Sequence, residues 1–413
     1  MNIIESVALA MNSVKANKLR TFLTLLSVTI GVFAITGTGA LIESINSTMT
    51  KELESLGETV YYISKTPIIQ SQGGPDRRRY TSRKNLDYRL FKNLVKHSKI
   101  PKEFCAFYQA GGYVIKKGNQ KTENNVWLVG ASETLFTSLN YPIETGRTFT
   151  QYEVTNSSNV AVVGMDIIIK IFSNEQNPLG KQISINNRKF TVIGILTPRG
   201  SMMGQSQDNI VVIPITYFLK YYATSEYNFN LQYALKAPSK KLLEASMDET
   251  IGVLRNLRNC KPGEENDFEV EDNAAISEQF SNITKYLAFF GAACGLVALI
   301  AAGVGIMNIM LVSVKERTRE IGIRKAVGAK TRSILFQFLI ESVTLCQFGA
   351  FIGIIIGVSI GAIFGKLVGM GLGIPYFWII FSIIICTILG IVSGAYPAWR
   401  AAKLDPIEAL RNE

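Results

Sequence analysis

Histidine is all but missing from this sequence: His97 stands alone in 413 residues. A histidine-rich metal centre is therefore excluded, and His97 reads as a helix-surface residue. Charge is scarce as well, at 18% of residues against 47% hydrophobic. Mean hydropathy is positive. That balance does not suit an ordinary water-soluble protein and directs attention to membrane spans. The sequence has no C-x-x-C, no H-E-x-x-H and no G-x-G-x-x-G. Two Gly-Lys pairs, in NPLGKQ (177–182) and FGKL (364–367), lack the frame of a phosphate loop. GVSIG (357–361) matches a serine-nucleophile pattern by letter only. That pattern needs a strand-to-helix turn and a histidine partner, whereas Ser359 sits in an apolar helical run. No enzyme active site is visible.

The chain has four uncharged stretches long enough to cross a bilayer, which takes about 20 apolar residues in a helix. They define spans at 19–43, 281–314, 333–365 and 375–399. The first has a basic lead-in but exceeds the apolar core of a signal peptide, and no small-x-small cleavage site follows it, so an uncleaved span is expected. Between the first two spans lies a polar region, 44–280, large enough for its own core. Lys15, Lys18 and Arg20 precede the uncharged run of the first span, which begins at Thr21, Lys315 to Arg332 separates the second and third, and Arg400, Lys403 and Arg411 follow the fourth. All these clusters fall on one side if both termini are cytosolic, as the positive-inside rule requires. The net charge of +11 is then divided between two compartments and gives no argument for nucleic acid.

Residues 1–18 place Ile3, Ile4, Val7, Met11 and Val14 on one helical face, the pattern of an amphipathic interfacial helix. In the polar region, TVYYIS (59–64) reads as a strand, 71–85 as a loop and 86–97 as a helix. Short turn-bounded strands follow in a β-rich insert over about 100–225. From Asn228 a strand, a helix over 240–257 and a strand DFEVED complete a second β-α-β pattern. The fold class expected is thus an α-helical membrane protein with four transmembrane helices and a large extracytoplasmic α+β domain, a split β-α-β unit with a β-rich insert. Cys105 and Cys260 fall in that domain with no spacing signature, which leaves a disulfide open. Cys294, Cys346 and Cys386 fall in spans and read as packing residues.

Helical pattern runs from near Asn273 to Val314 without a proline. Its length, about 60 Å at the usual rise, is about twice the hydrocarbon thickness, as expected of a rod between the outer domain and the inner face. Then comes LVSVKERTREIGIRKAVGAK (311–330). Glu316 precedes Arg319 by three residues and Glu320 precedes Arg324 by four, the favourable order for helix pairs. Gly328 suits a helix stop and Thr331 a cap for the next helix. Basic charge alone would suit a solvated loop, but interleaved Ile321, Ile323 and Val327 suggest a short docking helix within 315–327, followed by a loop to 332. In the third span Gly349, Gly353, Gly357, Gly361 and Gly365 recur every fourth residue, a groove for close helix packing. Glu341, where that helix enters the membrane, suggests an interfacial, hydrogen-bonded role.

At this point the residues resemble a known family. KERTREIGIRKAVGAKTRSI (315–334) is similar to the cytosolic motif of MacB/FtsX-type ABC transporter permeases. NKLRTFLTLLSVTIGV (17–32), DNIVVIP (208–214) and GAYPAWRAAKLDPIEALRNE (394–413) agree with it in order, as does the stretch from VAVVG to TVIGIL (160–196). The chain resembles a MacB-like permease without a fused ATPase domain. The loop at 71–85 matches no family motif.

The resemblance implies a non-catalytic permease subunit of the bacterial cytoplasmic (inner) membrane, acting as a homodimer or related pair in contact with membrane lipid. ATP and magnesium would be bound by a separate ABC ATPase subunit, with no cofactor on this chain. Glu316, Arg317, Arg319, Glu320, Ile321, Gly322 and Arg324 would contact that ATPase. Its cycle would be passed along the long helices to the outer domain for export of drugs, peptides or lipoproteins. A periplasmic adaptor and outer-membrane channel are further implied partners. The rival reading is an FtsX-like scaffold that activates cell-wall hydrolases without transport; the large β-rich insert favours the MacB-like one.

Overall fold

The structure is a computed structural model describing residues 18–68, 80, 82–172, 177–202, 204–222, 229–371, 373–405 and 409. The expected interfacial helix therefore lies outside the described residues apart from Lys18, and so does most of the loop at 71–85. The chain divides into two compact units, residues 48–281 and residues 1–47 with 282–413.

The first unit is a sheet domain. After α1 (Lys18–Leu56) come β1 (Val60–Ser64), α2 (Tyr88–His97), β2 (Glu103–Tyr113), β3 (Ile115–Lys117) and β4 (Gln120–Lys121). Next are β5 (Val126–Ala131), α3 (Leu135–Ser138), β6 (Ile143–Gly146), α4 (Gln151–Thr155), β7 (Val160–Val163) and α5 (Met165–Ile171). β8 (Gln182–Ile185), β9 (Arg188–Leu196), β10 (Ser201–Met202), β11 (Gln205–Ser206), β12 (Ile210–Pro214) and α6 (Ile215–Tyr221) follow. The domain closes with β13 (Gln232–Lys236), α7 (Leu243–Leu257) and β14 (Glu269–Asp272).

One sheet of twelve strands runs β14-β1-β13-β2-β5-β12-β7-β9-β8-β3-β4, with β6 on β9. β1 lies between the late strands β13 and β14, antiparallel to both, so the two β-α-β halves meet at one end. All five residues of β1 are buried, which suits a β-branched and aromatic run covered on both faces. Its Tyr61 hydroxyl keeps polar partners inside, at 2.9 Å from Ser246 Oγ and 2.8 Å from Thr250 Oγ1 on α7. The insert strands continue the same sheet over a second core, in which Phe190, Ile183, Ile185 and Phe218 are almost wholly buried. Local signals set the helix starts. Asp87 accepts from Leu90 N at 2.6 Å to cap α2, and Thr150 with Glu153 forms a capping box on α4.

The second unit is a helix bundle of α1, α8 (Asn273–Glu316), α10 (Thr331–Leu367) and α11 (Tyr376–Lys403), with the short α9 (Thr318–Ala326) between α8 and α10. Among the described residues these four long helices are long and apolar enough to cross a membrane. Their outward faces carry exposed Phe290, Val297, Phe351, Ile363 and Phe377, a surface that needs an apolar solvent. Inside, glycines bring backbones together. A Cβ on Gly349 would meet Val28, one on Gly353 would meet Thr29 O and Val32, and one on Gly357 would meet Thr36. Gly361 faces Ala40 and Gly365 faces Ser44, so the whole stripe of α10 lies along α1. Hydrogen bonds supplement the contact: Ser342 Oγ donates to Gly390 O at 2.8 Å and Gln347 Nε2 to Thr387 Oγ1 at 2.8 Å, both between α10 and α11.

Candidate functional site

The charged stretch folds as a break and a short helix. α8 ends at Glu316, and Arg317 is the non-helical residue from which α9 starts. α9 stops where Gly328 takes φ +99°, a left-handed conformation that glycine adopts without strain. The Ala329 N–H donates to Arg324 O at 2.9 Å and closes the end. Thr331 does not cap the next helix, as its spacing had suggested: it is the first helical residue of α10, and Lys330 occupies the cap position without a side-chain bond.

Three basic side chains fasten α9 to its neighbours. Arg317 Nη1 reaches Glu341 Oε1 at 3.5 Å, with the glutamate side chain only 1% exposed. Arg324 Nη1 donates to Gln337 Oε1 at 3.0 Å. Lys325 Nζ donates to Ala402 O at 2.5 Å and Leu404 O at 2.8 Å, filling carbonyls at the C-terminus of α11. Gln337 and Glu341 are four residues apart and so share one face of α10. Arg324 therefore pairs with Gln337 and not with Glu320, its expected partner four residues earlier. The Arg317–Glu341 pair is strongly disrupted when the arginine is removed, because the glutamate charge stays buried.

The seven residues expected to face an ATPase separate by exposure. Glu316, Arg319, Glu320 and Arg324 are exposed, and Arg317 is half-buried. Ile321 and Gly322 are buried. Ile321 belongs to the bundle core with Val314, Ile334, Phe338 and Ala401. Direct contact with another chain is thus closed to Ile321 and Gly322, because the apolar stripe that suggested docking turns one edge inward. Ile323 and Val327, 48% and 84% exposed, present the other edge. Gln337 and Lys325 escaped the sequence reading. Gln337 had one signal, its place four residues ahead of Glu341 in the apolar run Ile334 to Ile340, and Lys325 had none.

No grouping of three or more histidine, cysteine or acidic side chains able to hold a metal occurs among the described residues. His97 is exposed at the end of α2, its Nδ1 2.8 Å from Asn93 O. Cys105 and Cys260 are both free thiols. Burial in β2 pushes the Cys105 thiol well above its ordinary range, and partial burial beside Asp267 raises that of Cys260.

Four membrane-length helices with a β-rich domain between the first and second define an integral membrane protein of permease architecture. The chain belongs to the MacB-like permease family: residues 21–252 match the MacB-like periplasmic core domain and 292–406 the FtsX-like permease C-terminal domain. A macrolide export ATP-binding/permease protein MacB of Syntrophobacter fumaroxidans is 28% identical, with 99% of this chain and 64% of that protein covered. A pyoverdine export ATP-binding/permease protein PvdT of Pseudomonas entomophila is 30% identical, with 99% and 60% covered. The chain spans about three fifths of the length of such curated relatives. The periplasmic region of MacB from Actinobacillus actinomycetemcomitans aligns at 21% identity and TM-score 0.44, over 57% of this chain and 98% of that one.

Proposed function

We propose that this chain is the permease of an ATP-driven exporter of the MacB type, with α9 as the coupling helix that docks on an ATPase. The single observation supporting this most is the triple fastening of α9 to α10 and α11 through Arg317, Arg324 and Lys325. A helix tied to two membrane helices passes on a push; a solvated loop absorbs it. The exposed residues Glu316, Arg319, Glu320, Ile323 and Val327 form the ATPase-facing surface, while Arg317, Ile321 and Gly322 seat the helix. Arg324 serves both, exposed yet bonded to Gln337.

In this reading both termini and α9 are cytosolic and the sheet domain lies outside, in agreement with the positive-inside rule. ATP and magnesium bind the ATPase, which lies outside these 413 residues because they carry no phosphate-loop frame. Two copies of the permease work as a pair, with an adaptor and outer-membrane channel beyond. Small-molecule export, named in the relatives' own descriptions, is the activity carried over; drugs, peptides and lipoproteins are the substrate classes to assay.

The test is co-purification with the cognate ATPase. Arg319→Glu with Glu320→Lys reverses two exposed charges without touching the fastening, and association is expected to fall about tenfold or more. Unchanged association removes α9 from the interface. Retained association with lost export when the ATPase is made inactive places the chain as a driven permease; unchanged export refutes ATP drive.

A further inference from the structure

We infer that the far end of the sheet domain carries a docking cleft for an acidic, extended polypeptide segment of a partner protein, built on a row of lysines. β4, β3, β8 and β9 are neighbours in that order. The register sets Lys121 opposite Lys116, Lys116 opposite Ser184 and Ser184 opposite Lys189. Directly opposed residues point to the same face of a sheet. Lys121, Lys116, Ser184 and Lys189 therefore form one cross-strand row, about 14 Å long at the usual strand spacing. The alternate residues Ile115, Ile183 and Ile185 are buried, so the opposite face holds the core and all three lysines are exposed.

Like charges directly opposite each other destabilise a strand pair. Lys116 and Lys121 do face each other, and no carboxylate lies within ion-pair distance of Lys116, Lys121 or Lys189 among the described residues. Glu123 lines the same cleft, where Asn125 Nδ2 donates to its Oε2 at 3.2 Å. The row thus carries three lysines to one carboxylate, Glu123, in the cleft beside it and no ion pair among the described residues, a surplus of positive charge that an anionic partner would offset.

The cleft above Lys116 and Lys121 has a volume of about 820 Å³, with the Asn186–Asn187 turn and Thr122 among its walls. Both asparagines have left-handed backbones, φ 46° and 65°, which project the tight β8–β9 turn. Their side-chain amides donate and accept, as peptide groups require, beside ammonium groups suited to carboxylates. Phosphate recognition favours arginine forks and helix N-termini. The cleft lining has neither, so an acidic polypeptide fits it better than a phosphate polymer or lipid headgroup. This assignment stands apart from the proposed transport activity, since it uses the sheet domain alone.

The test uses the full chain in detergent and a fluorescent hexaglutamate peptide, with hexaglutamine, inorganic polyphosphate and anionic lipid vesicles as comparison probes. Hexaglutamate is expected to bind with an affinity that falls as salt rises, and Lys116→Gln, Lys121→Gln and Lys189→Gln together to weaken it about tenfold or more. These exposed substitutions remove mutual repulsion, so the melting midpoint should hold or rise. A second variant, Lys181→Gln, changes an exposed lysine outside the row and should bind like wild type. Equal binding by the triple variant, equal binding of hexaglutamine, or preferential binding of polyphosphate or vesicles through the same lysines would overturn the inference.

Discussion

The sheet domain and the helix bundle are stabilised in opposite ways. Large side chains are hidden in the sheet domain: Tyr61, Phe190, Phe218 and Tyr233 are fully buried, and removing that area from water supplies the driving force. In the bundle many large side chains point outward, and glycines, alanine and serines line the seams. Lipid tails are as apolar as leucine, so helices there gain little from burial and much from close backbone approach and hydrogen bonds. The same residue type consequently has different worth in the two regions.

The largest expected effect tests this directly. Phe190→Ala removes a ring that packs 4.8 Å from Tyr217 and should destabilise the sheet domain by about 3–5 kcal/mol. Phe351→Ala, on an outward face of α10, should leave the melting midpoint of the detergent-solubilised chain nearly unchanged. Equal losses would break the comparison. Next, Arg317→Ala removes the arginine paired with a glutamate that is 1% exposed and should cost about 3 kcal/mol. The swap Arg317→Glu with Glu341→Arg should recover part of this, read as thermal inactivation of the full chain. Gly353→Leu inserts a side chain where even a Cβ lies 2.8 Å from Thr29 O, and about 1–3 kcal/mol of overpacking is expected. Its measure is loss of crosslinking between cysteines placed on α1 and α10.

The smallest effect is electrostatic. Arg147, 2.8 Å away, together with the Thr150 cap, holds the Glu153 carboxyl at about 2, below its ordinary 4.5. Stability from that depression is present above about 4.5 and is lost as pH falls toward 2. Both side chains have access to solvent, so the contribution is modest. Glu153→Gln should modestly speed hydrogen exchange near α4 at neutral pH, where the pair is intact, and flatten the acid limb, with exchange converging on wild type toward pH 2.

How much was legible in advance differs along the chain for physical reasons. β1, β12 and β13 announced themselves as β-branched or aromatic runs between turn residues, and α7 formed over the helix expected at 240–257, after a short 3-10 turn at Lys240–Leu242. That β1 would sit between β13 and β14 was not written locally, since strand pairing depends on which distant edge it meets. In the short helix α9, the spacing of Glu320 and Arg324 suggested a mutual pair. Gln337 on the packed neighbour offered Arg324 a fixed acceptor, and tertiary geometry overrode the local pattern.

Sequence alone determined the membrane-length apolar helices, the strands of the outer region and the glycine period, because bilayer thickness, β-propensity and helical repeat act on neighbouring residues. Tertiary structure alone decided that Ile321 turns inward while Ile323 stays exposed, that Lys325 ends on the carbonyls of α11, and that three lysines from three strands align. Each of those outcomes depends on which surfaces meet, and contact between residues far apart in the chain leaves no periodic trace in the sequence.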